Sequence, residues 1–413
     1  MLFSLIIGLL YGNNLFNIEL FTFNNWKLLF LVLITLCFLI LLELVEDKIF
    51  DIYSLFFLVY TGSIILVLSD NLLTLYLGLE LQTFSLFILI AKNRTSIIGS
   101  EAGLKYFILG ALSSGFYLLG LTILFLFGFD LNIKNLILLI NESVVLLACG
   151  LIILSFCFKL SLFPLHFWIP DIYEGSSWDI ITLLSSLPKI SVICVITQLL
   201  INSNILMFCS IFSIIIGTIG ALNQSKLKRL FAYSGISHMG FIILSYSILN
   251  SKGYLVGNMY LSIYMITMIT IFIIIIHNKN SNYIIELSGL GLVNKILAFS
   301  MIVLILSTAG IPPLSGFISK WYLIWINIEF EYYISSLIVI LFSIIGAGYY
   351  LRLVKIIYFQ KRSSFFIWKQ ILSVKYDFSN MIYMTLGFFI FVNMFLLINF
   401  EIIINTINYL CIY

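Results

Sequence analysis

Apolar residues run along this chain in long unbroken blocks. They show neither the alternation of a half-buried strand nor the single stripe of a surface helix. A helix rises 1.5 Å per residue, so about 20 apolar residues cross the hydrocarbon layer of a bilayer. Blocks of that length are predicted at about 28–44, 51–69, 71–91, 103–128, 143–165, 180–201, 204–222, 229–249, 254–276, 296–327, 334–358 and 380–411. The stretch 133–141 either lengthens the 143–165 span or lies in the interface. The first apolar run, Leu2–Leu10, is too short to span, and residues 1–26 are otherwise Asn-rich and aromatic. The pattern predicts an all-α polytopic membrane protein of twelve spans, give or take one. The short alternating segments of a transmembrane β-barrel are missing.

Loop charges test this reading. Taking alternate loops, one side collects fourteen Lys and Arg, and the other only Lys27, Lys134 and Lys252. Cationic loops stay on the cytoplasmic or matrix side of a membrane, so the asymmetry supports the spans and orients them.

Two spans are interrupted by helix-breaking residues, C-F-K-L-S-L-F-P-L-H-F-W at Cys157–Trp168 and A-G-I-P-P-L-S-G at Ala309–Gly316. Broken helices are tolerated at membrane depth only where the freed backbone faces protein or a water-lined cavity. Their spacing suggests an internal repeat: 79 residues separate Glu80 from Lys159, and 82 separate His238 from Lys320. Five helices per unit make the two units inverted relative to each other, an arrangement found in ion transporters. The expected organisation is an N-terminal segment with one span (1–50), a first repeat (51–203), a second repeat (204–360), and a basic loop with a last span (361–413).

Against this apolar background, a few titratable residues stand out. Charged residues make up 9% of the chain, where a soluble domain carries about 25%. Lys105, Lys159, Lys189 and Lys320 nevertheless fall inside predicted spans, and Glu80 lies mid-span, ten residues after Asp70. A buried charge needs a partner, a cavity or an altered protonation state, which makes it a candidate for ion or proton handling. Lys159, Lys189 and Lys320 each lie beside a proline or a helix break and are the strongest candidates. Glu80 either exchanges protons or ties helices together. Lys105 either pairs with Glu101, four residues earlier, or reaches Glu80. His238, set among small residues in A-Y-S-G-I-S-H-M-G-F, suits a proton relay, or else is a satisfied core histidine. His166 reads as part of a helix break and His277 as interfacial. Asp171, Glu174 and Asp179 read as a solvated loop rather than an entry funnel.

Other chemistry is not indicated. The six cysteines lie in apolar stretches without a C-x-x-C pair, so no iron–sulfur, zinc or disulfide frame is expected. Gly289–Lys295 is glycine-rich, but no strand precedes it, and no haem, flavin or nicotinamide motif is present. The net charge of +3 builds no nucleic-acid patch. No removable signal or transit peptide is expected. Abundant Phe, Ile, Asn and Tyr with scarce Ala and Arg suit an AT-rich coding genome such as an organellar one.

The segments Glu101–Gly115, Phe158–Gly175, Asn223–Gly240 and Gly310–Lys320 together resemble the antiporter-like subunits of respiratory complex I. Within that group, Ala347–Phe359 (A-G-Y-Y-L-R-L-V-K-I-I-Y-F) is similar to the subunit-2 branch of NADH dehydrogenase rather than the branches of subunits 4 and 5. The likeness covers about 51–400. It implies two inverted five-helix units with two discontinuous helices. It also implies a proton path through a Glu80–Lys159 charge pair, then Lys189, His238 and Lys320, with Lys105 in a supporting role. The implied setting is the inner mitochondrial or bacterial plasma membrane, among other membrane-arm subunits, antiporter-like neighbours and lipids. NADH, FMN, iron–sulfur clusters and ubiquinone would be held elsewhere in the complex, with no cofactor in this chain. The family's full form has fourteen helices, so one or two are expected to be lacking before residue 28. The alternatives are a subunit of a related cation/proton antiporter, which would transport without NADH, and a structural subunit whose buried ion pairs only hold helices together.

Overall fold

The computed structural model describes residues 21–45, 49–92, 96–138, 142–199, 203–277, 282–360 and 380–396, and these are almost entirely helical. In chain order the helices are α1 (Asn25–Leu44), α2 (Phe50–Leu68), α3 (Leu72–Ile90), α4 (Ile97–Leu126), α5 (Ile133–Leu138), α6 (Ser143–Leu160), α7 (Trp168–Gly175) and α8 (Trp178–Leu199). They continue with α9 (Ser203–Leu222), α10 (Leu227–Tyr246), α11 (Ser251–His277), α12 (Leu290–Val293), α13 (Lys295–Ala309), α14 (Ser315–Glu329), α15 (Tyr333–Phe359) and α16 (Asn380–Phe395). Nine of them (α1, α2, α3, α4, α6, α8, α9, α11 and α15) are long and apolar enough to cross a bilayer. α10, the broken α13–α14 pair and α16 occupy the other three expected spans, the last of which runs on beyond the described residues. The expectations for residues 1–20, the basic loop 361–379 and the tail 397–413 fall outside the described residues.

The expected span at 296–327 is two helices. α13 stops at Gly310, whose left-handed φ of 83° lets its N–H and that of Ile311 fold back onto the Leu306 carbonyl. α14 then packs so closely on α13 that a Cβ at Gly316 would overlap the Ser307 carbonyl. α6 likewise stops early, at Leu160, through a left-handed Ser161, and the Trp168 indole donates to the Phe158 carbonyl at 3.0 Å. The freed backbone groups at both breaks thus find partners inside the protein, as a low-dielectric setting demands. Of the 133–141 stretch, residues 139–141 fall outside the described residues. α5 is a separate short helix, tied to the α2–α3 turn where the Ile133 N–H donates to the Asp70 carbonyl at 2.9 Å.

Most Ser and Thr hydroxyls within the helices donate to a carbonyl one turn back, as Ser186 does to Thr182 and Ser234 to Phe231. This satisfies them locally without a charged partner. Helices approach closely where small residues meet. At Gly217 of α9, a Cβ would lie 2.6 Å from the Ser237 backbone nitrogen of α10, so only glycine permits this crossing. At the centre lies α8, buried along its whole length. α11 packs beside it and α10 packs on α11; both are nearly as enclosed, whereas α4 and α15 expose much of their apolar surface. The most enclosed helices are the ones that carry Lys189 and His238.

Candidate functional site

Lys189 occupies the middle of α8, directly after Pro188. It is 1% exposed, and its Nζ has no hydrogen-bond partner among the described residues. Proline lacks an N–H and loosens the helix at this point. The amine reaches toward α10, where a Cβ built on Gly235 would stand 3.5 Å from Lys189 Nζ and 3.4 Å from the Tyr264 hydroxyl.

One turn further along α10 lies His238, 3% exposed. Its Nδ1 lies 3.0 Å from the Tyr260 hydroxyl of α11, and its Nε2 lies 3.0 Å from the Tyr350 hydroxyl of α15. Tyr264, four residues after Tyr260 on the same face of α11, stacks on the imidazole with ring centres 5.0 Å apart. A phenol both donates and accepts, so each ring nitrogen can hold or release a proton without losing its partner.

Lys320, on α14, is 8% exposed and donates to the Thr308 and Ala309 carbonyls at 3.1 and 2.8 Å. Those carbonyls end α13, where the helix dipole favours a positive charge. Between Lys320 and His238 lies a cavity of about 10 Å³, lined also by Tyr260, Tyr264, Thr308 and Ser319. That volume is about one water's worth of space, and its walls are hydroxyl-rich. Lys189 and Lys320 both lie within electrostatic reach of His238. Where water is sparse, a charge on one of these groups disfavours a charge on the next, so a proton arriving at one end tends to release another.

The structure separates the remaining candidates. Lys159, in the last turn of α6, sits over the Phe158 ring with its Nζ 5.5 Å from the centroid. Glu80, on α3, accepts from Thr83 at 3.1 Å and lines a cavity of about 220 Å³ with Tyr76, Tyr106, Phe107 and Ser114. The two charges act on each other, but no ion pair joins them, because one ends a helix and the other faces the α3–α4 cavity. Lys105 does not reach Glu80. Its side chain is 40% exposed and bonds Glu101 at 2.6 Å and Asp171 at 2.7 Å.

Several residues read differently in three dimensions. Asp171 and Glu174 are not in a loop but on α7, where Asp171 pairs with Arg229 and Glu174 with both Lys226 and Arg229. Asp179 is buried in the first turn of α8. His166 is buried at the α6 break between Phe163 and Phe167, and His277 meets the Tyr383 hydroxyl at 3.0 Å. Lys27 is no loop lysine: it is 1% exposed and bonds Asp70 at 2.9 Å and the Thr22 hydroxyl at 2.8 Å. Burial pushes the Asp70 carboxyl up, but the Lys27 charge and hydrogen bonds from Thr22, Lys27 and Lys134 outweigh it and hold the group below its ordinary range. Tyr260, Tyr264, Tyr350 and Thr308 went unnoticed in the sequence. The one available signal was the four-residue spacing of Tyr260 and Tyr264, which is equally that of two packed aromatics.

The family model described as NADH:quinone oxidoreductase/Mrp antiporter, TM, matches residues 69–346, which takes in α3 to α14 and the first half of α15. The chain belongs to that membrane family. It is 39% identical over 321 residues to NADH-ubiquinone oxidoreductase chain 2 of Metridium senile, covering 75% of this chain and 83% of that one. It is 34% identical over 385 residues to NADH-quinone oxidoreductase subunit N of Pelagibacter ubique, covering 86% and 82%. Among solved structures, a chain of respiratory complex I from Thermus thermophilus superposes with a TM-score of 0.85 at 24% identity, over 98% of this chain and 91% of that one. A chain of the Mrp complex from Dietzia sp. does so at 0.82 and 18%, over 95% and 84%. The family's fold is therefore present across nearly the whole chain. The likeness read from Ala347–Phe359 agrees with the chain 2 and subunit N relatives.

Proposed function

We propose that this chain is a proton-translocating membrane-arm subunit of an NADH:quinone oxidoreductase, respiratory complex I. The observation that carries the reading is the set of Lys189 and His238 on two of the most enclosed helices with Lys320 beyond them, where His238 and Lys320 share a water-sized cavity lined by tyrosines. A structural ion pair would need an acid beside these lysines. Instead, Lys189 has no hydrogen-bond partner among the described residues, and Lys320 bonds only backbone carbonyls.

In this reading, residues 51–203 and 204–360 are the two antiporter-like repeats. Quinone reduction elsewhere in the complex alters the field at Glu80, whose charge acts on Lys159. A change there biases Lys189, and the proton passes by way of His238 to Lys320. Each step moves a proton between neighbouring groups and needs no redox centre in this chain. NADH, FMN, the iron–sulfur clusters and ubiquinone would belong to other subunits. The setting is the inner mitochondrial membrane or a bacterial plasma membrane, in contact with other membrane-arm subunits. Lys105 lies off this path and braces α4 against α7.

The test is NADH-driven proton pumping and NADH:quinone turnover in membranes bearing Lys159→Ala, with complex content measured alongside. Loss of both in fully assembled complex is the expected result. Normal pumping per complex would remove Lys159 from the path and favour a structural role. The similarity in fold to the Mrp chain favours, as a second reading, a cation/proton antiporter subunit. That protein would move cations without NADH.

A further inference from the structure

We propose that the Tyr264 hydroxyl is the proton relay that connects Lys189 to the cavity shared by His238 and Lys320, through a gap kept open by the missing side chain at Gly235. The proposal rests on the proton-path reading above and deepens it at one step.

Lys189 is the most isolated member of the path. Among the described residues its amine has no hydrogen-bond partner, and neither has the hydroxyl of Tyr264, although both atoms are fully buried. A buried phenol ordinarily finds a partner, and a buried amine more so. Here the two unpartnered atoms border one spot. A Cβ on Gly235 would sit in ordinary van der Waals contact with both, 3.4 Å from Tyr264 Oη and 3.5 Å from Lys189 Nζ. Glycine at 235 is not needed for backbone geometry, because it lies inside α10 with helical neighbours on both sides. What it provides is room between an amine and a hydroxyl.

Tyr264 also lines the water-sized cavity, together with His238, Tyr260 and Lys320. Its ring stacks on His238, which fixes where the hydroxyl stands. Tyr260 and Tyr350 already occupy the two imidazole nitrogens, so their hydroxyls serve His238. Tyr264 alone of the three tyrosines touches both the Gly235 gap and the cavity. In the transfer, the Lys189 ammonium gives up a proton toward the phenol oxygen as the phenol O–H proton moves on into the cavity. The phenol is neutral before and after, and the net change is one proton carried from Lys189 toward Lys320.

The experiment uses the assembled complex in native membranes and measures NADH-driven proton pumping and quinone turnover per complex. Tyr264→Phe keeps the stacked ring and removes only the hydroxyl. We expect normal complex content and pumping lowered on the order of tenfold or more, the scale of losing one positioned proton-transfer group. Gly235→Ala fills the gap with a methyl that fits without strain, and the same loss is expected. Gly235→Ser in the Tyr264→Phe background returns a hydroxyl to the same spot and should recover part of the rate, which a purely packing role would not produce. Parental pumping in Tyr264→Phe, with Lys189→Ala inactive, overturns the relay and leaves the path standing. Should Tyr264→Phe fail to assemble, Gly235→Ala decides, and parental pumping there overturns the relay. Parental pumping in Lys189→Ala overturns the path itself.

Discussion

Gly310→Ala tests whether the α13 break exists to seat Lys320. At φ 83° the residue is left-handed, a conformation that costs a non-glycine residue about 1–2 kcal/mol. The added methyl would also stand 2.7 Å from Lys320 Cδ and 3.2 Å from both Cε and Nζ. The lysine must therefore shift and give up one of its bonds to the Thr308 and Ala309 carbonyls, which it now holds at 3.1 and 2.8 Å. Losing one hydrogen bond to a charged donor costs about 1.5–3 kcal/mol, so the whole change amounts to roughly 2.5–5 kcal/mol. The assay pairs thermal denaturation of the purified complex with pumping per complex. Gly348→Ala serves as control, since a methyl there meets nothing within 4 Å. The expected outcome is a clear loss of thermal stability and of pumping in Gly310→Ala, with the control at parental levels. Parental values for both measurements in Gly310→Ala would refute the idea that the left-handed turn positions the amine.

Three further outcomes follow from the contacts. Lys27→Met takes the buried partner from Asp70, leaving it Thr22 and the exposed Lys134, and should cost about 1.5–3 kcal/mol, seen as lower complex content while pumping per remaining complex stays normal. Because the Asp70 carboxyl is held below its ordinary range, its stabilisation is complete above about pH 4 and fades as the pH falls through the depressed value. Asp70→Asn should therefore flatten the acid limb of a stability-against-pH curve, and an unchanged limb would refute the assignment. Tyr350→Phe takes the partner from His238 Nε2 at a stability cost of about 1 kcal/mol. Pumping per complex should fall well below the parent's, and parental pumping would show that Tyr350 only packs.

The helices were legible in the sequence because a bilayer leaves the backbone little choice: uninterrupted apolar runs of that length must satisfy their own hydrogen bonds. The candidate residues were legible for the same reason, since Lys189 and Lys320 are costly wherever they lie inside such runs. Lys105 misled because its position near the start of an apolar run says nothing of Asp171, which is 66 residues away in the chain and waits at its end. Lys27 misled in the opposite sense, reading as a loop charge when the end of α2 in fact closes over it.

The sequence by itself determined the class of protein, most of its apolar helices and most of its buried titratable groups, because these follow from transfer free energies read residue by residue. Tertiary structure decided which groups stand next to which. The tyrosines around His238 come from α11 and α15, and the acceptors of Lys320 come from the end of α13. Proton transfer depends on distances of about 3 Å, and such distances between remote segments arise only when helices pack. A hydroxyl on an apolar helix looks the same in sequence whether it bonds its own carbonyl or faces a lysine across a gap left by glycine.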